Sequence, residues 1–120
     1  MKKYITLQYI FNSFIHIMSI KKQYLKSKPV CKVTLSWKND ELETAKKVAV
    51  LGDFNSWDPK QSFPMKKLKD GTFKTTIDLE VGQEYQFRYL VDGEVWVNDA
   101  GADKYVPTGV GVEDNSVVCV

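Results

Sequence analysis

From position 30 onward the chain alternates. Cys31, Val33, Leu35 and Trp37 are apolar, and Lys32, Thr34, Ser36 and Lys38 stand between or beside them, the period of two expected of a strand with one buried face. Trp37 falls with the apolar set, so core packing is its first reading and ligand contact its second. Asn39-Asp40-Glu41 reads as a turn. Residues 46–52 form a second, more fully apolar strand with Gly52 at its exit, and residues 63–68 a short, weak one after Pro59. Asp70-Gly71 then predicts a two-residue hairpin turn, in which both central positions require positive φ. Residues 72–79 set Phe73, Thr75, Ile77 and Leu79 against Lys74, Thr76 and Asp78, and Val81-Gly82 turns the chain. Residues 84–91 put Tyr85, Phe87, Tyr89 and Val91 on one face and Gln86, Arg88 and Leu90 on the other. Asp92-Gly93 leads into a short return strand over residues 94–97. An irregular run, 98–115, precedes the last strand at 116–120.

Short strands with turns about every ten residues, and no convincing helix among them, predict an all-β sandwich or barrel. One domain over residues 30–120 is expected, with residues 1–29 as an N-terminal extension for which helix is one reading. Residues 4–20 are rich in Ile, Phe and Tyr, yet Gln8, Asn12, Ser13, His16 and Ser19 interrupt them, and the run falls short of the roughly 20 apolar residues that span a bilayer. A membrane span is therefore not expected. Lys2 and Lys3 resemble a signal-peptide start, but no small-x-small cleavage site precedes Lys21-Lys22. Met18 opens a segment of ordinary soluble character, so translation from Met18, with residues 1–17 never made, is one reading; an interfacial helix is the other. The first implies a cytoplasmic protein, whereas residues 1–20 as a targeting segment would imply secretion or membrane association. His16, the single histidine, lies in this stretch and reads as incidental.

Charge narrows the partners. Seventeen Lys and Arg against fifteen Asp and Glu leave +2, too little for a phosphate-tracking surface, so nucleic acid is not an expected partner. The cluster Lys21, Lys22, Lys26, Lys28 and Lys32 reads as a solvated segment. Cys31 and Cys119 sit in strand-like settings and are expected to be unpaired thiols in a reducing compartment. Neither has the spacing or His partners of a metal site, and no cofactor motif is present. Glycosidases generally use two carboxylates across a cleft; the acids here form no recognisable constellation, and there is no nucleophile motif or phosphate loop. A non-catalytic role is expected.

The stretch Gly52-Asp53-Phe54-Asn55-Ser56-Trp57 ends a strand in a polar turn that displays an indole. Burial of a Trp is worth a few kcal/mol, roughly the upper end for a side chain, so its display suggests a ligand with a flat, weakly apolar face. Taken with Tyr85-Gln86-Phe87-Arg88-Tyr89-Leu90-Val91-Asp92-Gly93-Glu94-Val95-Trp96 and the closing Asn115-Ser116-Val117-Val118, the turn resembles carbohydrate-binding module family 48. This is the isoamylase-type early-set domain of the AMP-activated kinase β subunit and of branching and debranching enzymes. The run Asn98-Asp99 and Ala102-Asp103-Lys104-Tyr105-Val106-Pro107 is similar to small stand-alone bacterial members.

The resemblance covers residues 30–120 and implies an immunoglobulin-like β-sandwich that binds α-1,4-linked glucans. It places Trp57 where the family stacks a sugar, with Trp96 as the second aromatic, although Val95 sets Trp96 one residue further from its turn than in the kinase subunit. It also implies a basic contact at Arg88 and a hydroxyl-binding amide at Asn115. The family's apolar residue that wraps over the sugar is not carried over, because Gly109-Val110-Gly111-Val112 departs in length and sequence. Aromatic faces suit sugar C–H groups, and the Arg and Asn rims supply donors and an acceptor for hydroxyls. Competing roles stay open: Trp57 capping the core, Trp96 packing a strand, Arg88 pairing with Asp78 or Glu80, Asn115 shaping a turn. Phe54, Tyr85 and Phe87 read as structural, and Asp53 and Asn55 as holding the turn by Asx-type bonds. The expected function is a non-catalytic glycogen- or starch-type glucan-binding module of micromolar or weaker affinity per site, with a glycogen-metabolising enzyme as a candidate partner. The alternatives are an early-set protein-interaction domain, or an accessory module of a separate amylolytic or branching enzyme.

Overall fold

A computed structural model describes residues 20–38 and 45–120. The readings made for residues 1–19, His16 included, and for the turn at Asn39 lie outside the described residues. Among the described residues ten strands follow in order: β1 (Ile20–Tyr24), β2 (Val30–Trp37), β3 (Val48–Gly52), β4 (Phe63–Pro64), β5 (Lys66–Lys67), β6 (Phe73–Glu80), β7 (Glu84–Val91), β8 (Val95–Val97), β9 (Lys104–Pro107) and β10 (Asp114–Cys119). They form two antiparallel sheets, β1-β2-β6-β5 and β4-β3-β7-β10-β9, with β8 added to β7. Of the two architectures the alternation allows, sandwich or barrel, this is the sandwich, as the resemblance implies.

The core lies between the sheets. Cys31, Val33 and Leu35 of β2 and Phe73, Ile77 and Leu79 of β6 meet Val48 and Val50 of β3, Phe87, Tyr89 and Val91 of β7 and Val118 of β10. Trp37 packs on this cluster, its ring centroid 6.1 Å from that of Phe73 and 6.4 Å from that of Tyr89. Phe54 and Tyr85 pack against it too. Tyr89 is fully buried, and its hydroxyl donates to the buried carboxylate of Asp99 at 2.5 Å. Both cysteines are free thiols, Cys31 in the core and Cys119 at the far end of β10.

Four details depart from the sequence pattern. β1 pairs with β2 from Ile20↔Leu35 to Tyr24↔Cys31, so part of the stretch assigned to the extension is strand. The weak strand at 63–68 is two short bridges in different sheets: β4 pairs with β3 and β5 with β6. Buried Met65 makes the crossing, its N–H donating to the Val48 carbonyl at 2.8 Å. The irregular run at 98–115 contains β9, paired with β10. Finally, Asp92-Gly93 has positive φ at both residues, 52° and 73°, whereas at Asp70-Gly71 only the glycine does. There the N–H of Leu68 reaches the Thr72 carbonyl and the Asp70 carboxylate accepts from the Thr72 N–H, a wider loop than the two-residue turn expected.

Candidate functional site

β7 is the strand on which the site is built. Its inner positions, Phe87, Tyr89 and Val91, enter the core, which leaves Gln86, Arg88 and Leu90 on the outer face of the larger sheet. One edge of β7 pairs with β3, which sets Leu51 across from Arg88. Along the other edge β10 and β8 lie end to end: Ser116 pairs with Phe87 and Trp96 with Leu90. One step beyond the first of these pairs, Asn115 falls level with Arg88. The side-chain amide of Asn98 joins the two strands by donating to the Asp114 carbonyl at 2.9 Å. Leu51 and Val117 are buried yet stand apart from the core cluster, as apolar residues beneath this outer face should.

Trp57 reaches the same face from the turn after β3. Gly52 is extended, and its place demands the absence of a side chain: a Cβ would stand 2.8 Å from that of Phe87. Asn55 is buried and closes the turn, its Oδ1 accepting from the Gly52 N–H at 2.9 Å and its Nδ2 donating to the Val50 carbonyl at 3.0 Å. Ser56 and Trp57 then both take left-handed backbone, φ 58° and 56°. Asp53 fixes the indole from the side. Its Oδ1 accepts from Trp57 Nε1–H at 3.1 Å, and its Oδ2 accepts from the Gln86 N–H at 2.8 Å. The turn bonds expected of Asn55 are present; those of Asp53 run instead to the indole and to β7.

The structure brings all four residues singled out from the sequence onto one face. The rings of Trp57 and Trp96 are 6.2 Å apart, tilted by 54°. The Arg88 guanidinium lies over the Trp96 ring, 5.2 Å from its centroid. Asn115 donates from Nδ2 to Gln86 Oε1 at 3.0 Å. Neither Trp57 nor Trp96 is part of the core cluster or packs against it, and Trp96 is 40% exposed. Among the described residues, Arg88 Nε and Asn115 Oδ1 are buried without a hydrogen-bond partner. A donor and an acceptor thus stand in adjacent strands, where most buried polar atoms would be satisfied.

The competing pairs for Arg88 are not formed. Asp78 takes Lys32 on the outer face of the smaller sheet, and Arg88 Nη1 meets Glu113 Oε1 at 3.1 Å. Glu113 escaped the sequence reading because nothing local ties it to a strand 25 positions earlier in the chain. It ends the β9–β10 loop, which also carries Val110 and Val112, 75% and 99% exposed. Among the described residues there is no cluster of metal-ligating side chains.

The family model for the glycogen recognition site of AMP-activated protein kinase matches residues 31–112. No curated protein sequence matches the chain. Among solved structures, the enterobactin esterase of Shigella flexneri matches with a TM-score of 0.67 at 14% identity, over 85% of this chain and 33% of that one. The ferric enterobactin esterase of Salmonella typhimurium matches at 0.65 and 11% identity, over 85% and 34%. The catalytic module of the glycogen-degrading pneumococcal virulence factor SpuA matches at 0.53 and 17%, over 90% and 18%. The chain thus spans about a third or less of each of these relatives, and the likeness is one of fold.

Proposed function

Because this chain belongs to the family of the glycogen recognition site of AMP-activated protein kinase, we propose that it is a non-catalytic module binding α-1,4-linked glucan on the outer face of β7. The observation that carries this reading is the pairing of Trp57 with Trp96 outside the core, with Arg88 and Asn115 on the same face. Two tilted indoles offer faces to successive glucose rings of a curved chain, and dispersion against sugar C–H groups supplies most of the attraction. Arg88 and Asn115 meet hydroxyls, which can accept from one and donate to the other. Val110 and Val112 stand exposed on the loop that Glu113 ties to Arg88. A contact area of this size gives micromolar or weaker binding per site. A polymer offering many sites raises the apparent affinity. Through such binding the module would hold itself, or a glycogen-metabolising partner, on glycogen or starch in the cytoplasm.

Co-sedimentation with glycogen tests this. The wild-type chain is expected in the pellet, and Trp57→Ala combined with Trp96→Ala in the supernatant while still unfolding in one cooperative urea transition. A folded wild-type chain that stays in the supernatant rejects the glucan reading and leaves the early-set protein-interaction domain as the alternative.

A further inference from the structure

The register puts two cations on the outer face of the larger sheet, and each is matched by a carboxylate. Arg88 Nη1 is 3.1 Å from Glu113 Oε1, and Lys104 Nζ is 2.8 Å from Glu84 Oε1. Asp53 adds a further negative charge beside Trp57. The Arg88 pair is asymmetric: the Arg88 side chain is 17% exposed, held against Trp96, while that of Glu113 is 67% exposed. The acid comes to the base on a constrained loop. The Thr108 N–H closes that loop on the Glu113 carbonyl at 3.0 Å, Thr108 Oγ1 accepts from the Val110 N–H at 3.1 Å, and Gly109 and Gly111 supply positive φ.

An unpaired guanidinium on an aromatic surface is a docking point for carboxylates and phosphates, which it binds by two parallel charge-assisted hydrogen bonds. A neutral hydroxyl competes poorly with a carboxylate and leaves the ion pair intact, bridging it. We infer that Glu113 is a specificity-determining residue of this platform: by neutralising Arg88 it confines the site to uncharged glycans and turns away phosphorylated or carboxylated ones. The inference rests on the glucan reading above and adds the class of sugar admitted. An anionic glycan has to displace Glu113 or lie beside it, and the Asp53 carboxylate bonded to the Trp57 indole repels it further.

The test titrates wild type, Glu113→Gln and Glu113→Lys with amylose fragments and with the same fragments carboxymethylated, at low ionic strength, and reads the ratio of the two affinities. Wild type is expected to prefer the neutral chain by about five-fold, the size of one charge–charge contact in water. Glu113→Gln is expected to bring the ratio near unity, and Glu113→Lys to invert it. Wild type that binds amylose with the same ratio as both variants overturns the role of Glu113 and leaves the glucan reading standing. So does wild type that binds both polymers equally. A folded wild-type chain that binds neither overturns both.

Discussion

Trp57 stands on two consecutive left-handed residues, Ser56 and Trp57 itself. For side chains other than glycine each such residue costs about 1–2 kcal/mol. The buried bonds of Asn55 and the two-sided grip of Asp53 offset that cost and hold the ring in place before any ligand arrives. The arrangement depends on Gly52, which sits against Phe87 with no room for a methyl group. Gly52→Ala is expected to destabilise the fold by about 2 kcal/mol through overpacking, read as a lowered urea midpoint. A displayed Trp in a polar turn is legible in sequence, because burial alone gives no reason for it. The task of Asp53 is not, since a carboxylate that bonds a side chain four positions on looks the same in sequence as one that closes its own turn.

Among the elements, the Asp92-Gly93 turn carries more than a change of direction. The Asp92 carboxylate accepts from the backbone N–H groups of Lys46 and Lys47, both at 2.9 Å, and so fastens the start of β3 to the end of β7. These bonds, that from Lys47 first, hold its pKa below the ordinary 3.8. A depressed folded-state value means that the stabilisation is present above the ordinary pKa and is lost as the pH falls through the lower one. Asp92→Asn keeps the acceptor and tolerates the left-handed backbone. The wild-type urea midpoint is expected to fall as the pH drops below the ordinary carboxylate value of 3.8, with a shallower fall in the variant. The same strands show what alternation reveals. β2, β6 and β7 have one face in the core and a less buried face opposite, and their period of two is unmistakable. β1 is an edge strand of mixed exposure, and β9 is mostly exposed among glycines and turns, so neither has an apolar face to read. A strand that changes sheets at Met65 keeps its pattern while its partner changes.

For the whole molecule, the sandwich is fastened at its side as well as through its core. Lys22 of β1 pairs with Asp103 at 2.8 Å, and the same carboxylate oxygen accepts from the Cys119 N–H. β1 also shields the edge of β2. We therefore propose that the folding unit includes β1, and a chain beginning at Val30 tests this against one beginning at Met18. The shorter chain is expected to lose roughly 2 kcal/mol of stability from removed packing and pairing, and to self-associate in light scattering through the uncovered strand. Equal stability and a monodisperse solution would return the boundary to Val30. The three tryptophans, meanwhile, are divided by the fold. Trp37 is tied to Phe73 and Tyr89 at the core, while Trp57 and Trp96 face each other on the surface. Two indoles that close share their electronic excitation, so the surface pair forms a coupled chromophore whose optical activity depends on the angle between the rings. The module carries its own optical reporter at the place where its ligand would lie, with Trp37 as an internal reference.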